Sequence, residues 1–571
     1  MATNTSPAAS SAPASGEYTH AQVLTIITGL MLGMFLATLD QTIVSTSIRT
    51  IADDLSGLSV QAWVTTAYLI SATITTPIYG KLGDNYGRKT LFMVAISIFI
   101  VGSALCSFAT SMPMLAAFRA FQGLGAGGLM TLVLAIIGDI VSPRERAKYT
   151  GYFMATFATS SVLGPVIGGL LAGQETILGL TGWRWVFLVN VPVGILALVV
   201  VARTLVADRQ HREVRVDWWG ASSLVVALVP LLAVAEQGRE WGWGSGLSIG
   251  CYVLGAVGLV AFVLAEHAMG DAALIPLRLF RLRVAAVTIA ASVVIGAAMF
   301  GGIMILPLYM QIVHGASPTE AGLLMLPMVL GMMVASIGSG RVIARTGRVR
   351  AFPRVGSGVV VVGLFLLSFT SADSPMVQVS LSMFVLGLGL GSCMQPLLLT
   401  VQSAVPPTEI GVATASATFF RQLGGTLGVA VFLSILFSTV GPNISDALDE
   451  AASEPAFQQA AQAQGGLDAS LVAGIQEDSS FLEQLPDVLA HPFRVGFAES
   501  MDLVFLSASG VALLAFLILL LLPPVELRST SAAAERAAGA AGAAAVTPSP
   551  TAQPMTQPAA QPASTPAAPR E

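Results

Sequence analysis

Three charged side chains stand within long apolar stretches of this 571-residue sequence, where charge is costly and therefore informative. Asp40 lies in Leu39-Asp40-Gln41-Thr42-Ile43-Val44, Arg119 in Arg119-Ala120-Phe121-Gln122-Gly123, and Arg421 in Arg421-Gln422-Leu423-Gly424-Gly425. A carboxylate at hydrocarbon depth faces a cavity by default. Taken out of water it binds a proton more readily, so Asp40 can exchange a proton when access to it changes. Ionised, it would also attract a cationic substrate. The bland alternative is a helix-end carboxylate in the outer headgroup region. Arg119 needs an acceptor or a water-filled path. Near a carboxylate it would set proton release; otherwise it would snorkel to the interface. Arg421 lines the pathway or neutralises a carboxylate. Asp40, Arg119 and Arg421 are thus the candidates for proton coupling or substrate binding.

A second group could form a gate. The string Gly80-Lys81-Leu82-Gly83-Asp84-Asn85-Tyr86-Gly87-Arg88-Lys89 has glycines that permit a tight turn and close helix approach. Asp84 and Arg88 can pair with each other or with neighbouring helix ends, latching two parts of the chain together on the cytoplasmic side. Asp139 is a further partner for Arg88. A second copy, Gly340 to Arg348, has Ala344 where Asp84 would stand, so the acidic latch is one-sided. A third group is Ser160-Ser161-Val162-Leu163-Gly164-Pro165-Val166-Ile167-Gly168-Gly169. Ser160, Gly164 and Gly168 form a small-residue face at spacing four, which lets helices pack closely, and Pro165 removes a backbone donor and bends the segment.

The elements that must hold these residues are membrane helices. The chain is 54% hydrophobic and 10% charged, against about 25% charge in soluble domains. Apolar runs of about 20 residues, long enough to cross a bilayer, recur throughout. Fourteen spans are expected, near 22–45, 60–80, 91–110, 114–138, 152–173, 185–203, 218–236, 247–266, 285–311, 320–340, 355–371, 377–400, 411–437 and 501–522. The loops after the even-numbered spans carry the basic residues, including all three lysines, Arg144, Arg146, Arg209, Arg212, Arg215, Arg278, Arg281, Arg341, Arg345 and Arg350. The opposite loops hold chiefly Arg49, Arg184, Arg239 and Arg494. The positive-inside rule then places both termini in the cytoplasm. Tryptophans 63, 183, 185, 218, 219, 241 and 243 fall near span ends, as interfacial indoles do.

Glycines and one arginine repeat at an offset of 260 residues: Gly80 with Gly340, Gly87 with Gly347, Arg88 with Arg348, Gly164 with Gly424 and Gly168 with Gly428. The expected organisation is a cytoplasmic tail at 1–21, a six-helix half at 22–203, two inserted spans at 204–284, a second half at 285–525 and a cytoplasmic tail at 526–571. An acidic external loop at 441–499 lies within the second half. Both tails have disordered compositions. The three cysteines sit in apolar runs, and the histidines lack metal-ligand spacing. No phosphate-binding loop, nucleophile–base set or basic domain is present, which argues against an enzyme, direct use of ATP, a cofactor and a nucleic-acid partner.

These residues together resemble the major facilitator superfamily, and within it the fourteen-span drug:proton antiporters, over nearly all of residues 20–525. The loop Gly80 to Lys89 resembles the superfamily signature after the second span. Arg119 with Gln122 and Gly123 is similar to the fourth-span motif associated there with proton coupling. Gly164-Pro165 with Gly168-Gly169 resembles the fifth-span antiporter motif. Leu39 to Val44 and Trp183-Arg184-Trp185-Val186-Phe187-Leu188-Val189-Asn190-Val191-Pro192 are similar to strings of the fourteen-span branch. Ser160 and Ser47 depart from its usual residues. The resemblance implies an all-α polytopic protein of two six-helix halves plus two inserted helices, working as a monomer in the inner membrane. It would export amphipathic or cationic small molecules by alternating access in exchange for protons. A dedicated exporter of an endogenous metabolite or lipid, and a non-transporting sensor or scaffold, are the alternatives.

Overall fold

The computed structural model describes residues 20–55, 62–141, 145, 147–205, 217–463, 485–525 and 527. Residues 1–19, 526 and 528–571 of the expected tails, loop arginines 144, 146, 209, 212 and 215, and positions 464–484 of the acidic loop lie outside these residues. The chain forms helices α1 (His20–Asp54), α2 (Ala62–Tyr86), α3 (Arg88–Ser107), α4 (Met112–Ile140), α5 (Ala147–Ala172), α6 (Arg184–Leu188) and α7 (Asn190–Thr204). It continues through α8 (Trp218–Trp241), α9 (Gly246–Met269), α10 (Arg283–Ile312), α11 (Pro318–Leu324), α12 (Leu326–Thr346) and α13 (Ala351–Leu367). The last are α14 (Met376–Ser403), α15 (Ile410–Ala451), α16 (Pro455–Ala463) and α17 (Asp487–Leu520).

Eleven helical segments among the described residues are long and apolar enough to cross a membrane. Helices α2, α5 and α13 occupy the three other expected spans. The chain is an all-α, multi-pass membrane protein. In lipid a helix satisfies its own backbone polar groups, which is why the apolar runs take this form.

The repeat is visible in where helices stop. Tyr86 and Thr346 end α2 and α12, and Ser107 and Leu367 end α3 and α13, each pair 260 residues apart. Gly87 (φ +90°) and Gly347 (φ +69°) follow α2 and α12, both in a backbone region that a side chain disfavours.

Two features depart from the sequence expectation. The sixth span, α6 and α7 together, is preceded by a hairpin of two-residue strands, β1 (Thr176–Ile177) with β2 (Leu180–Thr181), turning at Leu178 and Gly179. The acidic loop begins later than expected, because α15 runs on to Ala451 and α17 starts at Asp487. The two extensions pack together: Val440 and Ile444 join Phe493, Phe497 and Met501 in one buried cluster. Asp446, Asp449 and Glu450 therefore ride on a helix.

Close approach comes from glycines on α4. A methyl at Gly123 would crowd the Tyr68 carbonyl of α2 at 2.5 Å, and one at Gly125 the Ala95 carbonyl of α3 at 2.5 Å. Membrane helices lack a hydrophobic drive to associate, so such backbone contact holds the bundle. It also fixes the register of Arg119 and Gln122 on the same helix.

Candidate functional site

Asp40 lies midway along α1 and is fully buried. Arg119, also buried, donates from Nη1 to Asp40 Oδ2 at 2.5 Å. The alternatives of a headgroup carboxylate and a snorkelling arginine are both overturned: each charge is the other's partner. Gln122 Nε2 donates to Asp40 Oδ1 at 2.9 Å, and its Oε1 accepts from Arg119 Nη1 at 2.8 Å. The spacing of three on α4 places both side chains on one face. The guanidinium lies 4.1 Å from the centre of the Tyr68 ring, and Arg119 Nε donates to the Val64 carbonyl at 3.4 Å.

Asn190, the first residue of α7, completes the set. Its Nδ2 donates to Asp40 Oδ1 at 2.7 Å and to Ser103 Oγ at 3.0 Å. Ser103 in turn donates to the Phe187 carbonyl at 2.9 Å. Helices α4 and α7 thus meet α1 at one carboxylate, and Arg119, Gln122 and Asn190 all donate to it. Asn190, Ser103 and Tyr68 had been given no role from sequence. A single amide within the apolar run after Trp185 was the available signal for Asn190.

A second cluster joins the basic-loop ends of the helices. Arg88 Nη2 donates to Asp84 Oδ1 at 2.8 Å, and Arg88 Nη1 lies 2.6 Å from Asp139 Oδ2 and also meets the Ala135 carbonyl. Asp84 Oδ2 accepts from the backbone N–H of Val412 at 2.9 Å. That donor lies in the first turn of α15, where unsatisfied N–H groups and the helix dipole favour an anion. Glycines make room for it. A methyl at Gly411 would overlap the Asp84 carboxyl, and one at Gly80 would overlap Ala415. A methyl at Gly83 would press on Leu132 at 2.8 Å. Lys89 Nζ donates to the Ala202 carbonyl of α7 at 2.7 Å.

The small face of α5 packs on α1. Thr38 Oγ1 donates to Ser160 Oγ at 2.8 Å, and Thr42 Oγ1 to the Ser160 carbonyl at 3.2 Å. A methyl at Gly164 would overlap Thr42, and one at Gly168 would stand 2.5 Å from Thr46 Oγ1. Gly169 has open space around it and takes no part in this contact. Pro165 lies inside α5. The helix that carries Asp40 is therefore also the helix gripped by the Gly-Pro string.

Arg421 sits on α15, half-buried, its main chain so close to α10 that a methyl on Gly296 would overlap the Arg421 carbonyl. Among the described residues no carboxylate forms an ion pair with it, so the expectation that it neutralises one is not met. Its neighbour Gln422 accepts from Thr76 Oγ1 of α2 at 3.3 Å. Sequence reasoning also passed over Asp217 and Glu266, each 1% exposed. Asp217 caps α8 by accepting from Gly220 N at 2.6 Å, and Glu266 accepts from Ile275 N at 2.9 Å.

The Major Facilitator Superfamily profile matches residues 30–429. The chain is 35% identical over 426 residues to the multidrug transporter protein MdtP of Bacillus subtilis, covering 74% of this chain and 77% of the relative. It is 31% identical over 518 residues to multidrug resistance protein 3 of the same organism, covering 90% and 97%. Among solved structures it is similar to the proton:xylose symporter XylE, with a TM-score of 0.55 over 91% of this chain and 100% of that one, at 15% identity. That likeness is one of fold.

Proposed function

The chain belongs to the major facilitator superfamily, a family of transport proteins rather than enzymes, and from that premise we propose that it exports amphipathic small molecules across the cell membrane in exchange for protons. The relatives named as multidrug transporters support export of several drug-like compounds. The observation that carries the proton is the Asp40 site: one fully buried carboxylate, paired with Arg119 and bounded by donors. Intramembrane carboxylates in such settings mark proton or substrate paths.

In the proposed cycle Asp40 takes a proton from outside, the two halves rock, and the proton leaves inside while cargo binds in exchange. The Asp84–Val412 contact closes the cytoplasmic side in the present arrangement and breaks when the halves rock. Both termini lie in the cytoplasm, the unit is a monomer, and the proton gradient is the energy source. The cargo is amphipathic or cationic. Arg421, half-buried in the first third of α15, lines the cargo path. A dedicated metabolite or lipid exporter on the same fold is the second reading.

Ethidium efflux from cells expressing the protein, with and without a protonophore, is the test. Efflux that collapses with the protonophore supports proton exchange. Efflux that survives it removes the proton from the proposal. Verified, membrane-inserted protein that moves no ethidium shifts the assignment to the dedicated exporter.

A further inference from the structure

Asn190 is fully buried, and its two ends are treated unequally. Nδ2 has two acceptors, Asp40 Oδ1 at 2.7 Å and Ser103 Oγ at 3.0 Å, whereas Oδ1 has no hydrogen-bond partner. A buried amide oxygen left unmatched is unfavourable, because it has given up water without gaining a donor. The arrangement suits an ionised Asp40, because an ionised carboxylate only accepts. It does not suit a protonated one. A carboxylic acid carries an O–H that needs an acceptor, and Asp40 Oδ1 faces the N–H groups of Gln122 and Asn190.

We propose that Asp40, Asn190 and Ser103 form one two-state proton site, in which the Asn190 amide turns over when Asp40 is protonated and its Oδ1 accepts the new O–H. This rests on the reading of Asp40 as the proton carrier. The step balances simply. A proton from the outer solution bonds to Asp40 Oδ1, and no covalent bond breaks. The pair with Arg119 goes from net neutral to a single positive charge. Asn190 exchanges a donor for an acceptor toward Asp40, and the Ser103 hydroxyl rotates from the Phe187 carbonyl to follow it. In either orientation one end of the amide is poorly matched, so the amide has little preference of its own and the proton on Asp40 decides. Arg119 keeps Gln122 Oε1, the Val64 carbonyl and the Tyr68 ring when Asp40 is neutral.

The other groups facing the carboxylate fit this assignment. Tyr68 comes from α2, Cys106 from α3 and Arg119 from α4, and the first two stay neutral at physiological pH. Ser160 of α5 meets the Thr38 and Thr42 hydroxyls of α1, the Phe187 carbonyl of α6 accepts from Ser103, and Asn190 of α7 meets the carboxylate itself. Asn190 is therefore the neutral side chain placed to give or take a hydrogen bond at Asp40 Oδ1 without carrying charge of its own. Gln122 is committed, with its oxygen held by Arg119.

The test is infrared difference spectroscopy of the full-length protein in lipid during acidification, with no cargo present. The wild type should show a hydrogen-bonded carboxylic acid band that is absent from Asp40→Asn. In Asn190→Leu, which can neither give nor accept, that band should move to the frequency of an acid without a hydrogen-bond acceptor. Asn190→Ser, whose hydroxyl can do both, should return it toward the wild-type position. A band unchanged in Asn190→Leu overturns the proposal. No acid band assignable to Asp40 at any pH the protein survives removes the proton-carrier reading itself, which is a separate result. In vesicles, proton-driven ethidium efflux should fall on the order of tenfold in Asn190→Leu and recover in Asn190→Ser. Efflux as low in Asn190→Ser as in Asn190→Leu would indicate a structural role and overturn the proposal.

Discussion

Asp40 and Asn190 are separated by 150 residues and joined by a 2.7 Å hydrogen bond in the interior of the protein. The bond ties the first membrane helix to the sixth predicted span, one residue past Val189, whose backbone stays helical (φ −58°, ψ −28°). Pro192, which has no N–H to give the Leu188 carbonyl, marks the join of α6 and α7. The buried carboxylate and that join therefore lie side by side along one continuous span.

Asp40→Asn should lower ethidium efflux by on the order of tenfold or more, the size expected for one hydrogen-bonded charge, and flatten its dependence on external pH. Wild-type efflux should quicken as the outside is acidified, since acid outside loads the carboxylate. Efflux from everted vesicles measured across a pH series decides this. Unchanged rate and pH profile in the variant would remove Asp40 from the cycle.

Arg119→Gln leaves Asp40 buried without its cation, and should destabilise the protein by about 3–5 kcal/mol. The double variant Asp40→Asn with Arg119→Gln should recover a good part of that loss, because the two side chains share one interaction. Equilibrium unfolding in mixed micelles gives both numbers. Additive losses would contradict the 2.5 Å pairing.

The gate contact uses a main-chain donor, so substitutions at Val412 should divide by what they do to the backbone. Val412→Ala keeps the N–H and should export normally. Val412→Pro removes it at a first-turn position that tolerates proline, and should impair export while the protein still inserts. Gly411→Val should behave like the proline variant, since its side chain would overlap Asp84. Efflux compared at equal membrane abundance separates these outcomes, and normal efflux in Val412→Pro would dismiss the contact as a latch.

Glycines within one string should differ sharply. Gly164→Leu forces α5 away from Thr42 and should abolish export, whereas Gly169→Ala should have no effect because nothing lies within 4 Å of the added methyl. Paired efflux assays are sufficient, and a scaffold that does not transport would tolerate both changes.

Much of this was legible in the sequence because the bilayer constrains it so strongly. A carboxylate and an arginine in apolar runs could be flagged from cost alone, and Asp139 could be offered to Arg88 from its place at the end of the fourth span. What could not be read was which groups meet. Asp40 and Arg119 are 79 residues apart, and helices that are apolar all round give no periodic signal for which face turns inward. Asn190 is visible as a polar residue in an apolar run, but its contact with Asp40 depends on which face of the sixth span turns inward. Gly169 shared its neighbours' motif and not their contacts. The acidic segment 441–499 carries weak helical patterning and reads as a solvated, partly helical loop; what the sequence does not give is that its helical part continues α15 and packs on the start of α17, because the partner is unknown.

That continuation has a practical side. At 42 residues and about 1.5 Å per residue, α15 is roughly 63 Å long, twice the hydrocarbon thickness of a bilayer. With the start of α17 it raises a rigid stalk on the face opposite the basic loops. Transporters of this size offer electron microscopy little outside the detergent belt to align on. Here the paired extensions are a ready fiducial, and an antibody fragment raised against them would mark particle orientation from the end of α15 remote from the Asp84–Val412 contact.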